Sequence, residues 1–152
     1  MNSNTLSQRK TMNMGRVLHT ALLRNSADLV YSQQGLIAPE NVRSLEVEFL
    51  VDTGASYICL PKSMIQKLGL VKQKEKDVRT ANGIVKRGVY SPVSITIFDR
   101  DADLNVMELP DDGTPPLLGY LALEAMDLLV DSKEQRLIVN PANDGKWVID
   151  CL

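Results

Sequence analysis

An all-β domain is predicted, on three observations. The chain carries seven or more short strand-like runs, it separates them with glycine, proline and asparagine turn signals, and it leaves room for only one or two short helices. By spacing alone a barrel and a sandwich both fit. A length of 152 residues suggests one domain. Residues 1–13 are polar and aperiodic and read as a disordered tail, so the domain is expected over 14–152.

Taken in order, residues 16–24 (RVLHTALLR) read as the first strand. Residues 25–44, with Gly35 and Pro39, are long for a hairpin connection, so part of them is expected to have local structure. From Leu45 to Asp52 the chain alternates. Leu45, Val47, Phe49 and Val51 face one way, and Asp52 leaves the strand on the less apolar face. Tyr57–Leu60 is a short strand. Pro61 fits the first position of a helix with Met64, Ile65 and Leu68 on its apolar stripe and Gly69 as its stop. The mixed-charge run Lys72–Lys76 reads as a solvated loop.

Asn82-Gly83 lies between two strand-like runs and is a strong hairpin signal. The arms of this hairpin are polar and basic, so it is expected to project from the core. Pro92 interrupts before an alternating strand, Val93–Phe98. The spacing of Asp99, Asp101 and Asp103 matches the first three ligands of a calcium loop, but Leu104 and Pro110 stand where glycine and glutamate are needed. A solvated acidic turn is the favoured reading. Asn105–Leu109 is a strand, Asp111–Pro116 a turn cluster, and Leu117-Leu118-Gly119 a short apolar strand ending in glycine. A short helix over Leu121–Met126 and a final hairpin, 128–131 with 136–140, follow. The only tryptophan, Trp147, sits in a segment that would add an edge strand. No internal repeat is visible.

Composition excludes several function classes. Hydrophobic residues are 44%, charged residues 24%, and the net charge is -2 with the signs interspersed. No basic patch suggests nucleic acid or an anionic membrane as partner. No secretory apolar segment opens the chain and no apolar run approaches the ~20 residues of a membrane span. With two cysteines, Cys59 and Cys151, and no CxxC, a reducing, cytoplasmic location fits. The single histidine, His19, rules out multi-histidine zinc sites and reads as an ordinary strand residue. No metal or other cofactor is expected.

The stretch that carries chemistry is Phe49-Leu50-Val51-Asp52-Thr53-Gly54-Ala55-Ser56. A hydrophobic strand runs into a carboxylate, a small hydroxyl and a glycine, and apolar sequence resumes at Tyr57. A carboxylate between two apolar runs needs hydrogen-bond donors, and Gly54 lets the backbone approach it. On its own, the tripeptide also reads as a turn ending a strand.

Beside the hairpin at Asn82-Gly83 and the Leu117-Leu118-Gly119 strand with its following helix, all in order, this octet resembles the active-site loop of the retropepsin-like aspartic proteases. Leu60-Pro61, Leu68-Gly69-Leu70 and the run from Leu123-Glu124 to Asp131 look like small stand-alone cellular members. The resemblance covers about residues 15–141. It implies a closed β-barrel of the acid-protease half type with a flap hairpin, and an aspartic endopeptidase that holds water between two carboxylates. Only one Asp-Thr-Gly is present, so the implied active form is a homodimer with one Asp52 from each chain acting on a peptide or protein substrate. Thr53 is implied to bond across the two-fold axis and Gly54 to supply backbone donors. Ala55, Ser56, Leu118 and Gly119, with the flap residues Thr80, Ala81, Asn82, Gly83 and Ile84, are implied to bind substrate.

The chain departs from the family pattern in two places. Tyr120 stands where viral members often have arginine, and Tyr57 where many have an acid. A second reading is a catalytically silent dimer of the same fold that binds peptides or mediates assembly.

Overall fold

In the computed structural model, which describes residues 16–151, strand β1 (Leu18–Asn25) runs antiparallel to β2 (Ser44–Val51). The expected tail at 1–13 lies outside the described residues. The long connection between the two strands is folded locally, into helix α1 (Ser26–Gln33) and a 3-10 turn at Pro39–Asn41. Asn25 explains the start of α1. Its side-chain oxygen accepts from Asp28 N–H at 3.1 Å and its amide donates to Leu68 O at 2.8 Å, so one buried residue caps the helix and ties it to the next layer.

Asp28 closes the connection. It accepts from Arg43 N (3.0 Å), Nε (2.8 Å) and a terminal guanidinium nitrogen (2.9 Å). The Arg43 hydrogen bond is the main cause holding the Asp28 carboxyl below its ordinary value of 3.8. A lowered carboxyl stabilises the fold above its unfolded value, and the contribution is lost as pH falls through the folded one. Asp28→Asn is therefore expected to lower stability at pH 7 by about 2 kcal/mol. It should also flatten the loss of melting temperature on acidification below about 3.8. Thermal melts from pH 7 to 2.5 check this, and parallel acid limbs in both proteins would contradict it.

Strand β3 (Ile58–Pro61) leads into helix α2 (Lys62–Lys67). Pro61 ends the strand and precedes the helix instead of opening it. Gly69, at φ +66°, reverses the chain as expected, and a side chain there would strike the Arg43 guanidinium. The run Lys72–Lys76 is not a loop. It is the first half of β4 (Lys72–Thr80), which pairs antiparallel with β5 (Gly83–Ile97). β5 runs unbroken through Pro92, because the ladder against β6 (Arg100–Leu109) shifts register between Tyr90 and Val93. A bulge there absorbs the missing N–H. One 15-residue strand thus serves both the projecting hairpin and the core.

The expected acidic turn shrinks to Phe98 and Asp99, since Asp101 and Asp103 lie exposed on β6. Arg100, at the start of β6, is buried. Its guanidinium donates to the carbonyls of Met126, Asp127 and Gly145 and lies 5.9 Å from the Trp147 ring centroid. This anchor holds the C-terminal segment in a turn at Ala142–Gly145, where Asn143 and Asp144 take left-handed backbone angles, with none of the expected edge strand.

The remaining elements are β7 (Leu117–Leu118), α3 (Tyr120–Ala125), β8 (Leu128–Asp131) and β9 (Arg136–Val139). β8 and β9 form a separate two-stranded sheet. The main sheet has the order β1-β2-β7-β3-β6-β5-β4, and β1 also pairs with β5. The pairings therefore return to β1, and the β4–β5 hairpin extends beyond the ring. Inside the ring, Leu23, Phe49, Leu60, Val93, Ile95 and Val106 are fully buried. Each such side chain contributes about 1.5–3 kcal/mol on removal from water. The class is all-β, as the sequence predicts, with three short α-helices among the described residues where one or two were expected.

Candidate active site

β2 delivers Asp52 to the mouth of a cleft. Its N–H donates to Leu118 O at 3.0 Å, which continues the parallel β2–β7 ladder one residue past the strand. The chain then turns sharply. Ala55 N–H donates to Asp52 O at 3.1 Å, and Gly54 N–H donates to Asp52 Oδ1 at 2.9 Å. A side chain at Gly54 would place its Cβ 3.2 Å from that oxygen, close enough to push the carboxylate by a few tenths of an ångström.

The far side of the turn is fixed by β7 and α3. β7 pairs parallel with β2 on one edge and antiparallel with β3 on the other, and so lies between the two strands that flank the loop. A helix start leaves its first N–H groups without intrahelical partners. Here the loop carbonyls take them: Gly119 N–H bonds Tyr57 O (3.1 Å), Tyr120 N–H bonds Ala55 O (2.8 Å) and Leu121 N–H bonds Ser56 O (3.2 Å). The approach is so close that a Cβ on Gly119 would lie 2.5 Å from Tyr57 O.

Over the cleft stands the β4–β5 hairpin. Its turn residues are Ala81 and Asn82, with Gly83 (φ +110°) opening β5 opposite Thr80. The Thr80 hydroxyl accepts from Asn82 N–H at 3.2 Å and donates to Gly83 O at 2.9 Å, which locks the tip.

Between loop, hairpin and the end of β6 lies a cleft of about 700 Å³. Of the residues expected from the sequence, Asp52, Gly54, Ala55, Ser56, Thr80 and Asn82 line it. Thr53 is exposed on the loop outside the cleft lining, and Ala81, Gly83 and Ile84 are exposed at the hairpin tip. Leu118 is fully buried, so its side chain packs in the core and only its carbonyl reaches the site, while Leu117 takes the wall. Gly119 is buried behind the loop. His19 lies on β1 with its ring edge-on to Phe98.

Sequence reasoning missed Tyr57, Lys76, Val78, Val85, Arg87 and Met107, all of which line the cleft. Alternation along the hairpin arms was the available signal. Val78, Val85 and Tyr57 pack on the small cluster of Cys59, Val89 and Met107 that forms the floor, directly or through the β4–β5 pairing. Burial, with the Asp52 charge second, pushes the Cys59 thiol up to about 11, so it stays protonated and unreactive. Tyr57 follows Ser56 at the end of the loop. Its hydroxyl accepts from Lys76 Nζ at 2.8 Å, and the same ammonium lies 5.4 Å from its ring centroid. This contact ties the hairpin to the Asp52 loop.

No curated protein sequence matches the chain. Among solved structures, EIAV protease complexed with the inhibitor HBY-793 is similar at 18% identity over 72% of this chain and 86% of that one, with a TM-score of 0.48. The family model for the gag-polyprotein putative aspartyl protease matches residues 41–125. That stretch opens just before β2 and closes with α3, so it takes in the Asp52 turn, the hairpin above it and the glycine behind it, and the chain belongs to this retropepsin-like aspartyl protease family.

Proposed function

We propose that the chain is an aspartic endopeptidase active as a homodimer, with the two Asp52 carboxylates, one per protomer, holding the attacking water. The observation that carries this reading is the Asp52 turn itself. It is a carboxylate held by one backbone donor at the open end of a cleft, on a loop fixed from behind by α3. The other acids along the cleft are engaged: Asp77 pairs with Lys86, Glu108 accepts from the Tyr90 hydroxyl and Asp112 from Thr114. A dyad therefore needs a second copy of Asp52. Two carboxyls that close share one proton. The ionised one takes a proton from water while the protonated one polarises the peptide carbonyl.

In this reading Thr53, exposed on the same loop, bonds its mate across the axis. The hairpin tip, Thr80 to Ile84, closes over an extended peptide and excludes water. Ala55 and Ser56 flank the scissile bond, and Leu118 and Gly119 hold the loop to which they belong.

The test is concentration. Cleavage of an octapeptide library by the full chain, read by mass spectrometry, should show specific activity that rises with protein concentration and levels off where sedimentation shows the dimer. Constant specific activity from a chain that sediments as a monomer would overturn the shared site.

A further inference from the structure

The two faces of the β4–β5 hairpin treat charge differently. On one face Asp77, at the edge of the cleft, stands opposite Lys86 and the two form an ion pair at 3.3 Å. On the inward face Val78 pairs with Val85, and the next rung sets Lys76 opposite Arg87. Like charges directly opposite each other destabilise an antiparallel pair. Arg87 also interrupts an otherwise apolar face, between half-buried Val85 and fully buried Val89, and is itself half-buried. Lys76 and Arg87 line the cleft that Asp52 opens into, as does Arg79 farther along β4. Lys76 spends one donor on the neutral Tyr57 hydroxyl. Arg87 has no hydrogen bond or ion pair among the described residues. Asp112, which bonds Thr114, feels the Arg87 charge without pairing to it.

We infer that Lys76 and Arg87 form an anion subsite for an aspartate or glutamate side chain of the substrate, so that the protease selects acidic peptides. The inference rests on the endopeptidase reading. The subsite itself is built by one protomer, between its own hairpin and loop, and the planar guanidinium suits two-point recognition of a carboxylate. The acids of the cleft other than Asp52 are each engaged locally, whereas Lys76 bonds only the neutral Tyr57 hydroxyl and Arg87 is unpaired, so the charge missing at this rung is negative.

The test uses the full chain and an octapeptide set carrying Glu or Gln at each position in turn. Wild-type protein should favour Glu over Gln at one position by about tenfold in kcat/KM. Arg87→Glu should abolish that preference and favour Lys at the same position. Arg87→Gln, a milder change, should remove the preference without reversing it, and Lys76→Gln should weaken it several-fold. Cleavage with no acidic preference, or a preference unchanged in the Arg87 variants, overturns the subsite and leaves the endopeptidase standing. If wild-type protein cuts nothing, the endopeptidase reading fails, and binding of the fluorescein-labelled Glu and Gln peptides decides the subsite alone. Tighter Glu binding that Arg87→Glu removes supports it, and equal or absent binding overturns it.

Discussion

Asp52→Asn is expected to lower peptide cleavage by about 10³–10⁴-fold while leaving the melting temperature and the dimer intact. The amide cannot accept a proton from water, and in a symmetric dimer the substitution removes both acids at once. The fold should survive because Asn presents the same oxygen to Gly54 N–H, the 2.9 Å bond that shapes the turn. A finer outcome separates a shared site from two independent ones. Equimolar wild-type and Asp52→Asn chains, unfolded together and refolded, pair at random, so about one quarter of the dimers carry two aspartates. Activity should settle near one quarter of the all-wild-type value at the same total chain concentration. A value near one half would mean that each chain works alone.

What the sequence made legible is what burial and backbone conformation impose on residue type. β2 was readable because Val47 and Phe49 go to the core while Glu46 and Glu48 face water. Gly69 and the Leu117-Leu118-Gly119 run were readable because a left-handed turn and a close backbone approach admit glycine. Features set by pairing were not. Lys72–Lys76 looks like solvated loop because both faces of that half of β4 are exposed, and its order comes from main-chain bonds to β5 that leave no apolar period. Arg100 resembles any surface arginine until three carbonyls from the chain's last third converge on it. That same convergence holds Trp147 away from any sheet edge. The cleft followed the same division. The Asp52 loop was legible as a motif, whereas Lys76 and Arg87 meet only through the register of the hairpin, which no short stretch of sequence records.

Gly119→Ala is expected to damage the site more than any substitution that leaves Asp52 in place. The added Cβ would lie 2.5 Å from Tyr57 O and 2.6 Å from both the carbonyl carbon and the oxygen of Ser56. These are backbone atoms, so no rotamer change relieves the clash. The loop and α3 must separate, and the three hydrogen bonds that join them stretch together. Overpacking plus weakened bonds should cost about 3 kcal/mol of stability. The larger effect is on catalysis, because the same carbonyls belong to Ala55, Ser56 and Tyr57 on the loop that carries Asp52. A shift of about 1 Å there is enough for roughly a hundredfold loss of kcat. Gly113→Ala is the opposite case, strain without contact. That residue has positive φ, +84°, with nothing within 4 Å of its Cβ position, whereas Gly119 lies at φ -83°, a conformation open to any residue, and is constrained by contact alone. It should cost about 1 kcal/mol and leave kcat within a few-fold of wild type. Equal losses in the two variants would show that the contact behind the loop costs no more than the strain of one left-handed alanine at an open turn. A large fall in kcat confined to Gly119→Ala, measured well below its melting temperature, would show that the α3 start holds the carboxylates in register.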